Sequence, residues 1–189
     1  MDGAFAVWLT GLPASGKSAI AIELLAALQA HGARPAWLES DALRALVTPQ
    51  ARYDEAEREL FYETMLHLGV FLVQRGVPVI FDATANRRAY RDAARRRIAR
   101  FVEVFVDCPP QLCEARDPKG LYANARQGAL ASLPGPQAAY EPPLRPEMVV
   151  RSAIESPREA AADIVLLLER RGWLAPLRGA AATGGNGNG

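Results

Sequence analysis

The chain has 189 residues, 50% of them apolar and 23% charged, with a formal net charge of +1. That is enough apolar chain to bury one good core, and too little net charge to draw nucleic acid or an anionic membrane by bulk field. Met1-Asp2-Gly3 carries no basic targeting segment and no apolar run nears membrane-spanning length, so a soluble cytoplasmic protein is expected.

Phe5 to Leu9 is a short apolar run that predicts a buried strand, and Ala19 to Ala30 is an Ala-, Leu- and Ile-rich run that predicts a helix. Between them, Gly11-Leu12-Pro13-Ala14-Ser15-Gly16-Lys17-Ser18 satisfies G-x-x-x-x-G-K-[ST] at every fixed position. Glycines let such a loop curl until successive N–H groups point inward at a helix N-terminus, which makes an anion-binding nest. Lys17 would then reach the β- and γ-phosphates, and the Ser18 hydroxyl would ligate Mg²⁺. The chain is therefore expected to bind a nucleoside triphosphate.

Arg34 to Glu39 reads as a second strand, followed by Ser40 as N-cap of a helix over Asp41 to Val47. Tyr53 to Gln74 reads as one long helix with Ala56, Leu60, Met65, Leu68, Phe71 and Leu72 at helical spacing, stopped by Gly76. Val77 to Asp82 predicts a strand, Arg87 to Ala99 a helix, Phe101 to Asp107 a strand and Pro109 to Ala115 a short helix. Asp117 to Pro146 reads as irregular, Met148 to Val150 as a last strand, and Ser156 to Arg171 as a closing helix with Ala161, Ile164, Val165 and Leu168 inward. Residues 175–189 are low in complexity and are expected to be disordered.

Strands alternating with helices predict an α/β fold, a P-loop NTPase-type parallel sheet with helices on both faces. One kinase domain over residues 1–174 is expected, with a lid over about 116–146. Ligands in such sheets sit at the C-terminal ends of the strands. The loop, Glu39–Asp41, Asp82–Asn86 and the segment after Asp107 all fall there.

Asp41 follows the second strand, where a hydroxyl kinase needs a carboxylate to orient the acceptor or take its proton. Arg44 shares its helix face and would neutralise phosphate or bind the acceptor. Asp82 ends an apolar strand, so it would hold Mg²⁺, or join Thr84 and Asn86 around the acceptor, or cap the next helix. Arg88, Arg91 and Arg95 line one side of that helix, which reads as a solvated charged face with Arg88 nearest the cleft. In the lid, Lys119 would contact substrate phosphates and Arg116 would stack on an adenine ring. Cys108 and Cys113, the two cysteines, read as buried free thiols in a reducing compartment.

From about Ala6 to Leu174 the chain resembles the adenylyl-sulfate kinase family. The resemblance is carried by the run Phe101 to Pro109, then by Cys113-Glu114-Ala115-Arg116-Asp117-Pro118-Lys119-Gly120-Leu121-Tyr122, Ala125-Arg126 and Tyr140-Glu141-Pro142. It implies ATP and Mg²⁺ as cofactors, Asp41 and Lys17 at the reacting centre, Arg44 and Arg58 as acceptor contacts with Leu121 beside them, and a homodimer.

The departures are on the acceptor side. The family's D-G-D-N-x-R element reads Glu39-Ser40-Asp41-Ala42-Leu43-Arg44, and Phe61 stands where the family has an Asn. Of two aromatic residues that clamp the acceptor base, Tyr53 can serve as one, while the other position is Leu133. Asp82-Ala83-Thr84-Ala85-Asn86 instead resembles the D-x-T-N segment of polynucleotide-kinase-like enzymes. The expected reaction is γ-phosphoryl transfer from MgATP to an alcohol, with the 3′-hydroxyl of adenylyl sulfate leading. The alternatives are another nucleotide, a sugar or polyol, a nucleic-acid 5′-hydroxyl, or a nucleotide-binding module without phosphotransfer.

Overall fold

The computed structural model describes residues 4–49, 54–127, 133–135 and 137–177. Five strands, β1 (Ala6–Thr10), β2 (Ala36–Glu39), β3 (Val79–Asp82), β4 (Phe101–Asp107) and β5 (Met148–Arg151), form one sheet in the order β2-β3-β1-β4-β5. All its pairings are parallel. The helices α1 (Lys17–Ala30), α2 (Ser40–Val47), α3 (Glu55–Gln74), α4 (Arg88–Arg97), α5 (Pro110–Arg116), α6 (Leu121–Arg126) and α7 (Pro157–Arg170) complete the fold. Among the described residues, no helix is long and apolar enough to cross a membrane.

Parallel strands covered on both faces must be apolar on both, and β1 is buried at every residue. Alternation divides its side chains between two cores. Val7 and Leu9 pack with Ile20, Leu24 and Leu28 of α1 and with Ile164 and Leu168 of α7. Ala6 and Trp8 face Phe61, Met65 and Leu66 of α3 and Ala94 of α4. A smaller cluster of Cys108, Cys113, Tyr122, Ala125 and Leu133 packs against Leu12 and Ala14 of the phosphate loop. Both cysteines are buried free thiols, as expected.

Helix α7 starts where its sequence says: the Ser156 hydroxyl accepts from the Glu159 amide while Glu159 reaches back to the Ser156 amide. Three local expectations are corrected. Ser40 is not a cap but the first residue of α2, with Glu39 extended ahead of it and no side-chain cap bond. Helix α3 begins after Asp54, whose carboxylate accepts from the Glu57 amide; Tyr53 lies outside the described residues. The stretch after Asp117 contains α6, because the Asp117 carboxylate accepts from the amides of Leu121, Tyr122 and Ala123 at 2.7, 3.0 and 3.2 Å.

The inward face of α3 also differs from the expected stripe. Phe61, Tyr62, Met65, Leu66, Gly69 and Val70 face the sheet, whereas Ala56, Leu60 and Phe71 are exposed. So much of the helix circumference is apolar that spacing alone does not choose a face. Gly69 does, since it lets the backbone rest on Phe81: a Cβ there would lie 2.0 Å from Phe81 Cζ. Phe81 cannot retreat, being stacked on Trp8 with ring centroids 4.5 Å apart. Overpacking of about 3 kcal/mol should outweigh the roughly 1 kcal/mol that alanine gains in a helix. Gly69→Ala is thus expected to destabilise by about 2 kcal/mol in denaturant unfolding, and an unchanged midpoint would contradict this packing.

Candidate functional site

The loop between β1 and α1 adopts left-handed backbone at Ala14 (φ 60°) and Gly16 (φ 104°). Gly16 caps α1 with no side chain, so the first helical amides stay open to an anion. Gly11 is needed for a different reason: a Cβ there would sit 2.4 Å from the Val106 carbonyl oxygen on β4. Pro13, Ala14, Gly16, Lys17 and Ser18 line a cavity of about 1030 Å³, and Gly11, Leu12 and Ser15 do not.

Lys17 is buried, and its Nζ donates to the carbonyls of Gly11 at 3.1 Å and Leu12 at 2.8 Å. Burial pushes its pKa down, with the Asp82 charge opposing the shift. Asp82 is 2% exposed at the C-terminal end of β3, and burial pushes its carboxyl up while Lys17, Ser18 and Trp37 pull the other way. Each charge makes the other tolerable at the base of the cavity. Asp82 does not cap α4; that place belongs to Glu141, whose Oε2 accepts from the Arg88 amide at 2.8 Å.

The Asp82 Oδ2 atom is buried without a hydrogen-bond partner, and the Ser18 hydroxyl lies by the same carboxylate. An orphaned carboxylate oxygen beside a hydroxyl suits a hard divalent cation. No group of three or more His, Cys, Asp and Glu among the described residues would hold one unaided. The arrangement fits Mg²⁺ delivered with phosphate oxygens and water rather than a resident metal. Because burial raises the Asp82 pKa, protons should compete with Mg²⁺ at pH values where an ordinary carboxylate is already ionised. Mg²⁺-dependent nucleotide affinity, measured by calorimetry, should therefore weaken on acidification above the usual carboxylate range. Asp82→Asn should flatten that profile; an identical profile in the variant would remove Asp82 from the metal site.

The same cavity is also lined by Asp41, Arg44, Arg58, Thr84, Lys119, Leu121 and Leu133. Asp41 Oδ2 accepts from Lys119 Nζ at 2.5 Å, with Glu39 Oε1 3.8 Å from the same ammonium. Lys119 and Asp41 are both more than half exposed, so the pair contributes at most about 1 kcal/mol and yields readily to an incoming group. Arg44 lies over the Phe61 ring at 3.9 Å and pairs with the buried Glu57 at 3.2 Å. Phe61 is fully buried and does not line the cavity; it is a shelf for Arg44. Asn86 is buried too, donating to the Ala139 carbonyl at 3.0 Å, so it ties the lid rather than facing the cavity. Tyr53 falls outside the described residues.

Helix α6 packs over the phosphate loop, with the Tyr122 hydroxyl donating to the Pro13 carbonyl at 3.1 Å. Arg116 lines the cavity and donates to the Ser152 carbonyl at 2.8 Å. The α4 arginines are not the solvated face their spacing implies. Arg91 is 1% exposed and pairs with Glu103 at 2.7 Å, and Arg95 pairs with Glu103 and Glu147. Glu103 and Glu147 lie on β4 and just before β5, too far along the chain for helix periodicity to reveal. Arg88 meets Glu141 and the Pro142 carbonyl at the returning end of the lid.

Sequence reasoning missed Trp37, Tyr62 and the segment Ser152 to Pro157, all of which line the cavity. Ser152 to Pro157 follows β5 and was open to the rule that ligands sit beyond strand C-termini. Tyr62, which no spacing or motif marks, has its hydroxyl accepting from the Ala85 amide at 2.9 Å.

A buried Lys at an open helix N-terminus, a carboxylate suited to Mg²⁺ and a second carboxylate lining the same cavity can bring a nucleotide phosphate and an alcohol together. A sequence profile for adenylylsulphate kinase matches residues 3–151. An adenylyl-sulfate kinase of Burkholderia ambifaria is 40% identical over 163 residues, 85% of this chain and 90% of that one. Another, of Rippkaea orientalis, is 37% identical over 89% of this chain and 93% of its own. The structure of the Mycobacterium tuberculosis APS kinase CysC in complex with AMPPNP and APS superposes with a TM-score of 0.83 at 33% identity, covering 89% of this chain and 99% of that one. From its phosphate loop to its lid, the chain belongs to the adenylyl-sulfate kinase family.

Proposed function

We propose that this protein transfers the γ-phosphoryl group of MgATP to the ribose 3′-hydroxyl of adenylyl sulfate. The observation that carries the reading is one cavity lined both by Lys17, Ser18 and Asp82 and by Asp41, Arg44 and Arg58. Loop amides and Lys17 hold the transferring phosphate and stabilise the charge that develops on it. Ser18 and Asp82 would hold Mg²⁺, which supplies Lewis-acid charge neutralisation when bound. Asp41 aligns the acceptor hydroxyl for in-line attack and takes its proton, once that hydroxyl has displaced Lys119. Lys119 is then free to meet acceptor phosphate or sulfate oxygens, as Arg44 and Arg58 do. Arg116 faces the nucleotide base, and closure of the lid excludes water that would otherwise hydrolyse ATP.

Leu133, 7% exposed where the family has an aromatic residue, supports a second reading: the same transfer to a different alcohol. One lost stacking partner is worth ~1–3 kcal/mol per base, roughly a ten- to hundredfold change in acceptor affinity. A coupled assay of ADP release across acceptors separates the two. Adenylyl sulfate should stimulate turnover far above the acceptor-free rate; stimulation by a sugar or another nucleotide, but not by adenylyl sulfate, would overturn the first reading.

The working unit is read as a homodimer, supported by Leu60 and Phe71, which stand three turns apart on one side of α3 and are 58% and 48% exposed. The unbridged thiols of Cys108 and Cys113 support a reducing, cytoplasmic setting.

A further inference from the structure

Arg91 takes no part in the reaction as described, yet its side chain is completely buried and its nitrogens reach three separate parts of the fold. Nε donates to Glu103 Oε1 on β4 at 2.7 Å. Nη1 donates to the Ala85 carbonyl in the loop that follows Asp82. Nη2 donates to the Glu141 carbonyl, at the returning end of the lid, at 2.5 Å. Charge is balanced locally, because Arg95 and Glu147 close a four-member cluster with Arg91 and Glu103. A buried pair of this kind is weak evidence for stability, since apolar replacements often hold a fold as well. What apolar side chains cannot do is grip two carbonyls.

The gripped segments need holding. Ala85 has φ 42°, an unfavourable value for a residue with a Cβ, and it follows directly on Thr84 of the cavity wall. The Tyr62 hydroxyl accepts from the Ala85 amide at 2.9 Å while Arg91 takes its carbonyl, so the strained peptide is fixed at both ends. The lid end is laced to the same loop, with the Glu141 amide donating to the Asn86 carbonyl at 2.8 Å. Thr10, the last residue before the phosphate loop, donates to the Thr84 carbonyl at 2.7 Å and lies 3.1 Å from the Tyr140 hydroxyl.

We propose that Arg91 is a positioning residue for the acceptor: held by Glu103, it sets the Asp82–Asn86 loop and the returning end of the lid in one fixed relation across the acceptor end of the cavity. The inference rests on the reading of that end as the acceptor site. Arg91 touches no substrate, and its effect falls on how the alcohol is presented rather than on how ATP is held.

Two variants test this. R91K keeps a positive charge opposite Glu103 but has no fork to span two carbonyls. R91M/E103L removes the ion pair as a pair, whereas the single R91M would leave the buried Glu103 with Arg95 as its remaining charge partner. In both, adenylyl sulfate kcat/KM should fall about 10- to 100-fold, the scale of an ångström-level misplacement. ATP affinity without acceptor should stay within about threefold, because no phosphate-loop contact changes. Amide exchange over residues 83–88 and 138–143 should accelerate about tenfold or more, with β1 and α1 unaffected. Wild-type exchange in those two segments in either folded variant would overturn the proposal, as would an ATP affinity loss equal to the acceptor loss. If the unaltered chain does not phosphorylate adenylyl sulfate, the acceptor reading is what fails, and the exchange pattern alone decides the role of Arg91.

Discussion

Lys17→Ala should lower kcat by about 10²–10³-fold, the usual cost of removing one electrostatic group that stabilises a developing negative charge. Lys17 is 8% exposed and bonded to two loop carbonyls, so its charge is held in place and screened by little solvent. The loss should fall on the chemical step more than on ATP affinity, because the loop amides and the open start of α1 still grip the phosphates. There is a second consequence. Without Lys17, Asp82 loses the strongest influence opposing its burial, so its carboxyl should rise further and Mg²⁺ dependence should shift to higher pH. Single-turnover rates with calorimetric ATP affinities separate these effects, and unchanged turnover would remove the phosphate loop from the reaction.

Asp41→Asn should cost about 10²–10⁴-fold in kcat/KM for the acceptor, the range expected of a general base, and leave ATP affinity nearly as it was. Asp41 is a surface carboxylate at the start of α2, not a buried one, so its removal should cost almost nothing in stability. The ion pair with Lys119 that disappears with it is too exposed to matter to the fold. A variant with normal thermal stability and normal ATP binding, but little acceptor-dependent turnover, is the expected result. Full turnover would show that Asp41 neither orients the hydroxyl nor takes its proton. It would move the acceptor's partner to another carboxylate lining the cavity, with Asp82 and Glu39 at adjacent strand ends the first to test.

The two ends of the site differed in how far they could be read. Gly11 to Ser18 is contiguous, and its function follows from backbone conformation and helix start, both local properties. The proposed acceptor site draws on α2, α3, the end of β3 and the segment after α5, so its members can be nominated by type but not by contact. Phe61 and Asn86 show the consequence. Each is in the right segment, but Phe61 supports Arg44 from beneath and Asn86 ties the lid.

The phosphate loop and the strand and helix order, α6 apart, were determined by the sequence alone, because each depends on residues within a few positions of one another, and strand–helix alternation then implied the parallel sheet. Tertiary structure decided which side of α3 faces inward, through Gly69 on Phe81. It also decided that Arg91 and Arg95 of α4 find carboxylate partners on other elements, Glu103 on β4 and Glu147 just before β5. A charged side chain is buried only where an opposite charge and hydrogen-bond acceptors already wait, and those partners come from other elements brought beside it by folding.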